Sequence, residues 1–319
     1  MKIKILDWDT VTSGDISFER FEKYGELEVF GLTSPEQTAE RIGDADIVLC
    51  NKTLITDEVI KSCKNLKYIG LFATGYNNID LDSADKAGIA VSNSPAYSTD
   101  AVAQHTFALI LSFFNSVDKY NNSVKNGDWI KSKTFSYFDY PISELSGKNL
   151  SVIGYGSIGK KVAKIADAFG MNVLISTRTK PENCKYRLVS KEEAFKLADV
   201  LTIHCPLTPK TENLVNKDTL SLMKKSAYII NTSRGGTINE NDLAYALNND
   251  IIAGAGVDVI SAEPMKKDNP LYGAKNCIIT PHIAWAAFET RQRLLDIVEN
   301  NLKAFIEKKP VNIVNNYLM

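Results

Sequence analysis

The sequence predicts an α/β protein made of two doubly wound units, each a parallel sheet covered by helices. Three observations carry this. Short, nearly continuous apolar runs alternate with helix-length amphipathic stretches, as they do where parallel strands are joined by crossovers. The runs form two series, one ending before residue 100 and one starting after residue 148. One run of the second series leads directly into a glycine-rich turn and then a helix. The 319 residues suffice for two such units, each with its own core.

The first series is IKILD (3–7), DIVLC (46–50), LKYIGL (66–71) and IAVSN (89–93). A long helix is expected over 100–120, joining the two series, with Thr99 or Asp100 as N-cap. Val102, Thr106, Leu109, Ile110 and Phe113 give it an apolar face at helical spacing. Residues 121–147 are aromatic and turn-rich, with no period. The second series is NLSVIG (149–154), NVLIS (172–176), DVLTIHC (199–205), AYIINTS (227–233), AGAGVDV (253–259) and CIITPH (277–282). From 286 a last helix is expected, with Leu294, Val298, Leu302 and Phe305 on one stripe and a stop before Pro310. It is expected to return to the first unit. The expected division is 1–99 plus 287–319 for one domain and 100–286 for the other.

Composition narrows the function. Lys+Arg number 37 against Asp+Glu 38, a net charge of -1, so nothing draws the chain to nucleic acid or an anionic membrane. No apolar run has the length of a membrane span. The N-terminus, MKIKILDWDT, lacks an apolar leader core, so a cytoplasmic protein is expected. Cys50, Cys63, Cys184, Cys205 and Cys277 are scattered, which fits reduced thiols. Three isolated histidines and no Cys/His cluster predict no metal site.

The turn GYGSIG (154–159) has the context a dinucleotide cradle needs: strand before, helix after. Gly154 would permit the tight turn, Gly156 the approach of a pyrophosphate, and Gly159 close packing of helix on strand. Tyr155, Ser157 and Ile158 complete the loop, and the first helical amides would hold the phosphates. Ile158, Val162, Ile165, Ala166 and Phe169 form the helix's apolar face. After the next strand come Ser176, Thr177 and Arg178, where an NAD-specific fold carries an acidic residue for the ribose. Thr177 and Arg178 allow a 2′-phosphate, hence NADP. Otherwise Arg178 is a solvated loop residue and NAD binds with a weaker ribose grip.

Ligands of open α/β sheets bind beyond the carboxyl ends of the strands. Three late runs are followed there by Arg234, Glu263 and His282. An arginine can fork onto a substrate carboxylate. A histidine can pass a proton to and from a carbonyl oxygen, with a carboxylate on its other nitrogen fixing the tautomer. Each residue alone has a structural explanation: a turn, a helix cap, a strand end. Together with the cradle they point to carbonyl reduction by a nicotinamide. His105, in a helix, and His204, placed within a strand, are read as structural.

GYGSIG, HCPLTPKT, NTSRGG, AGVDVISAEP and TPHIAWA, in this order and spacing, resemble the D-isomer-specific 2-hydroxyacid dehydrogenase family over essentially the whole chain. The resemblance implies two Rossmann-like domains with a cleft between them, a homodimer, and NAD or NADP as cofactor. It implies Arg234 as carboxylate binder and His282 as acid/base assisted by Glu263. It puts the amides of Thr74 and Gly75, in ATGYNNID (73–80), on the substrate carboxylate, although that stretch is also good turn chemistry. Thr99, Pro206, Thr211, Thr232 and Asp258 fall on cofactor-contacting positions, Asp258 near the carboxamide. Trp285 either shapes the pocket or packs between the domains.

Within the family, NSPAYSTDAVAQHTFALIL, FSYFDYPISELSGK and HIAWAAFETRQRLLDIVENNL look most like glycerate dehydrogenases, also called hydroxypyruvate reductases. The phosphoglycerate branch tends to have a basic residue where Cys50 stands, although Lys52 is near. A D-lactate-type reductase, or a dinucleotide-sensing corepressor-like protein, are the other readings.

Overall fold

The computed structural model describes residues 1–317 and divides the chain into two compact units. One comprises residues 1–98 and 286 onward, the other Thr99–Trp285. Each crossing lies one residue from the position expected from sequence.

The first unit holds a five-stranded parallel sheet of β1 (Lys2–Ile5), β2 (Glu26–Val29), β3 (Ile47–Cys50), β4 (Tyr68–Leu71) and β5 (Ala90–Ser92). Its order is β2-β1-β3-β4-β5. β3, β4 and β5 are buried along their whole length, which is why they read as unbroken apolar runs. The chain goes outward from β1 to β2, then returns to β3, so the winding reverses between β1 and β3. The helix Phe288–Ile306 packs here, with Leu294, Val298 and Leu302 buried and Phe305 stacked on Tyr68 at 4.6 Å between ring centroids.

The second unit holds a seven-stranded parallel sheet. Its strands are β6 (Asn149–Ile153), β7 (Asn172–Ser176), β8 (Arg187–Leu188), β9 (Val200–Ile203), β10 (Tyr228–Asn231), β11 (Gly254–Val257) and β12 (Cys277–Ile279). The order is β12-β11-β10-β9-β6-β7-β8, so the winding reverses between β6 and β9. Parallel pairing puts every carboxyl end on one edge, and the reversal opens a crevice beside β6.

Two strands are not legible in the sequence, β2 and β8, and both lie at sheet edges. β2 has no fully buried residue, and both residues of β8 are exposed, so neither carries an apolar run. The long helix expected over 100–120 is instead two. The first, Thr99–Asn115, includes Thr99 in its opening turn; Ser116 then takes a left-handed φ of 50°, and a second helix spans Val117–Lys125. The break is tertiary: the Ser116 hydroxyl donates to the Pro141 carbonyl, and the Ser143 amide to that of Phe114. A short helix, Asp128–Lys131, lies in the stretch expected to be irregular. His204 lies just past the end of β9, not inside the strand.

Candidate active site

Each glycine of the 154–159 turn meets a different demand. Gly154 has φ +94°, and a Cβ there would stand 2.6 Å from the backbone carbonyl of His204. The ends of β6 and β9 therefore touch backbone to backbone at the reversal point. A Cβ on Gly159 would stand 2.1 Å from the Gly154 carbonyl oxygen, so only glycine lets the helix sit this close. A Cβ on Gly156 would meet nothing within 4 Å. That position opens onto free space above the loop, where an anion can approach the backbone. Gly156 is the N-cap of the helix Ser157–Ala168; no side chain caps the first turn and no acidic residue lies in it. Gly156 and Ser157 are exposed, and Tyr155 and Ile158 half-buried. These features fit a dinucleotide pyrophosphate.

Thr177, at the end of β7, is half-buried, and Arg178 is exposed with no hydrogen bond or ion pair among the described residues. At the end of β9, the loop from Pro206 is closed by Thr211, whose hydroxyl donates to the Pro206 carbonyl at 2.6 Å and accepts the Thr208 amide at 2.8 Å. Thr232, after β10, is buried, its hydroxyl 3.0 Å from that of Thr106.

Arg234 follows at the same edge. Three donors converge on its carbonyl: the Asn231 side-chain amide at 3.0 Å, the Thr237 hydroxyl at 2.7 Å and the Thr237 amide at 3.2 Å. A Cβ on Gly235 would stand 1.9 Å from the Ile260 carbonyl carbon, so this loop rests on the one after β11. The guanidinium donates to the Ser233 carbonyl at 2.7 Å, and no carboxylate of the described residues pairs with it. Its remaining donors are available to an anion.

Glu263 and His282, from the loops after β11 and β12, are joined. His282 Nδ1 lies 2.7 Å from Glu263 Oε2, while Glu263 Oε1 accepts the Ile260 amide at 3.2 Å. A carboxylate only accepts, so Nδ1 carries the hydrogen and Nε2 is the nitrogen left to exchange a proton. Nε2 bonds to no described residue. His282 has φ +55°, a left-handed backbone that a non-glycine residue adopts only when its surroundings hold it there.

Those surroundings centre on Asp258, which is 1% exposed. Its carboxylate accepts the amides of Ile283 and Ala284, each at 2.9 Å, and the Thr280 hydroxyl at 2.6 Å. Its backbone carbonyl accepts the His282 amide at 2.8 Å. Trp285 closes this segment, half-buried.

The first unit has its own organised edge at its reversal point. The buried Asp7, just past β1, accepts the amides of Asn51 at 2.8 Å, Lys52 at 2.6 Å and Thr53 at 2.7 Å. After β4, the Thr74 hydroxyl donates to the Ser94 carbonyl at 2.7 Å, and the amides of Thr74 and Gly75 take no acceptor among the described residues.

Sequence reasoning missed Asp7, Thr280 and His105 as organisers. Asp7 had a signal, a carboxylate closing the first strand. Thr280 and His105 had none, since they are 175 positions apart and meet only in the fold, 2.9 Å from each other. His204 keeps its structural reading: burial pushes its pKa down to about 3, and neither ring nitrogen has a partner among the described residues. All five cysteines are free thiols, Cys50 and Cys63 buried and the others half-buried.

Comparison with known proteins agrees with this geometry. Residues 107–284 match the model of the D-isomer specific 2-hydroxyacid dehydrogenase, NAD binding domain. A hydroxypyruvate reductase of Blautia hydrogenotrophica is 46% identical over 99% of this chain and 100% of its own. A glycerate dehydrogenase of Methylorubrum extorquens is 39% identical over 98% of each. Among solved structures, an NADPH-dependent glyoxylate/hydroxypyruvate reductase of Sinorhizobium meliloti in complex with NADP and malonate superposes with a TM-score of 0.84. It is 26% identical, over 99% of this chain and 97% of that one. A glycine cradle at the sheet reversal, a carboxylate-bound histidine at the same edge and this full-length similarity together make the chain a member of the D-isomer-specific 2-hydroxyacid dehydrogenase family.

Proposed function

We propose that this enzyme reduces hydroxypyruvate to D-glycerate, and glyoxylate to glycolate, with NADH or NADPH. The observation that carries the reading is the His282–Glu263 pair at 2.7 Å, with Nε2 bonded to no described residue, on the sheet edge that carries the glycine cradle. The names of the full-length relatives support the substrate class.

When bound, the nicotinamide supplies the hydride. His282 Nε2 gives a proton to the keto oxygen during reduction and takes it back during oxidation. Glu263 holds the imidazole in one tautomer and stabilises its protonated form. The Arg234 guanidinium forks onto the substrate carboxylate. In the first unit, the amides of Thr74 and Gly75, which take no acceptor among the described residues, are assigned to binding a carboxylate. Gly154, Tyr155, Gly156, Ser157, Ile158 and Gly159 would cradle the pyrophosphate, and Thr99, Pro206, Thr211 and Thr232 would line the rest of the cofactor. Asp258, expected there from the family resemblance, is 1% exposed with its carboxylate taken up by the 280–284 loop, so it holds that loop instead. Trp285 shapes the substrate pocket.

The missing carboxylate after β7 and Arg178, which has no partner among the described residues, support NADPH over NADH. A homodimer is supported by the apolar side chains of the 126–143 segment, where Ile130 is 89%, Phe135 91% and Phe138 83% exposed. No helix among the described residues is long and apolar enough to cross a membrane. The same reading puts the enzyme in the cytoplasm.

The test is the initial rate of NADH and NADPH oxidation with hydroxypyruvate, glyoxylate, pyruvate and phosphohydroxypyruvate. Fastest turnover with hydroxypyruvate supports the reading. Fastest turnover with pyruvate would move the enzyme to the lactate type. Cofactor binding without turnover of any keto acid would favour a sensing role.

A further inference from the structure

We propose that His105 is a positioning residue for His282, acting through Thr280 and Asp258. The proposal rests on the acid/base role assigned to His282 above.

His282 is held in its left-handed conformation by groups that all belong to, or bond to, Asp258. The carboxylate takes the two amides that follow His282, and the carbonyl of the same residue takes the His282 amide. The orientation of that carboxylate therefore decides where the imidazole stands. Its third bond is from the Thr280 hydroxyl, 2.6 Å from Oδ1. A hydroxyl has one proton, and here it is given to the carboxylate. Toward His105, whose Nε2 lies 2.9 Å away, the same oxygen can only accept. His105 must therefore carry a proton on Nε2. The same nitrogen, Nε2, also stands 3.4 Å from Asp258 Oδ1.

The direction of donation is thus set along the whole chain: His105 Nε2–H to Thr280, Thr280 O–H to Asp258, and Asp258 to the loop that carries His282. His105 belongs to the helix Thr99–Asn115, whose Val102, Thr106 and Leu109 are buried in the same unit. That rigid element gives the chain its fixed end. Removing the donor frees the hydroxyl to turn, slackens the carboxylate and lets His282 drift. A misplacement of an ångström at the reacting centre costs up to about 10²-fold in rate.

The experiment compares His105→Leu, His105→Gln and Thr280→Val with wild type and with His282→Ala. The keto acid is the one wild type turns over fastest. His105→Leu and Thr280→Val should lower kcat about tenfold, with the dissociation constants of NADH and NADPH and the melting temperature unchanged. His105→Gln, whose side-chain amide can donate, should recover most of the rate. In 15N spectra of the imidazoles, His105 should carry hydrogen on Nε2. Wild-type kcat in His105→Leu would overturn the proposal, as would equal loss in Leu and Gln, or an unprotonated Nε2. Parallel loss of rate, cofactor binding and melting temperature would reduce the network to scaffolding and overturn it too. His282→Ala separates the two readings. Normal turnover there removes the acid/base role itself; an inactive His282→Ala beside a normal His105→Leu defeats only the network.

Discussion

Exchanging Gly156 for alanine separates cofactor binding from folding. Gly156 has φ -78° and ψ -163°, extended backbone that any residue adopts. An added Cβ meets no atom within 4 Å. The folded protein therefore accepts the methyl. Alanine is a clearly poorer N-cap than glycine, by about 1 kcal/mol, but it lowers the entropy of the unfolded chain by a similar amount, about 0.4–1 kcal/mol, so the net change is small. The bound pyrophosphate needs the space that the methyl takes. Losing one amide bond to a charged phosphate costs about 1.5–3 kcal/mol, and about 1.4 kcal/mol is tenfold in affinity. Gly156→Ala should therefore bind NADH and NADPH about ten- to a hundredfold more weakly and melt like wild type. Gly159→Ala is the contrast. Its Cβ would lie 2.1 Å from the Gly154 carbonyl oxygen, so the helix must back away, at a cost of about 1–3 kcal/mol. That variant should lose both stability and affinity. Fluorescence titration of the reduced cofactors and thermal melts measure both. Wild-type affinity in Gly156→Ala, or a fall in its melting temperature to match Gly159→Ala, would refute the reasoning.

Arg234→Lys keeps the charge but loses the planar fork, so KM for the keto acid should rise at least about tenfold while cofactor affinity holds; steady-state kinetics checks it. Arg178→Ala should raise the dissociation constant of NADPH and leave that of NADH nearly unchanged; equal shifts would remove the 2′-phosphate role. His204 is held neutral by burial, with its folded pKa lowered to about 3 against about 6.5 unfolded. The unfolded chain therefore gains a proton below about pH 6.5 that the folded one refuses. Stability should fall by about 2 kcal/mol between pH 7 and pH 5 from this group alone. His204→Leu should flatten that part of the curve in denaturant titrations; an unchanged slope would show that other groups set it.

Ten of the twelve strands among the described residues, the glycine turn and the three strand-end groups were readable in the sequence, because each depends on local pattern. A buried parallel strand needs an unbroken apolar run, a tight strand–helix turn needs glycine, and a parallel sheet sends every carboxyl end to one edge. β2 and β8 left no such mark, since edge strands bury too little to demand apolar residues. The helix break at Ser116 was equally silent, because partners near 141–143 make it. The sequence alone determined the two units and the residue types offered to chemistry. Only the tertiary structure decided how they are held: the left-handed backbone of His282, the carboxylate of Asp258 spent on the 280–284 loop, and the meeting of His105 with Thr280. Hydrogen bonds between residues far apart in the chain have no periodicity, so they become visible only when the fold brings the partners within reach.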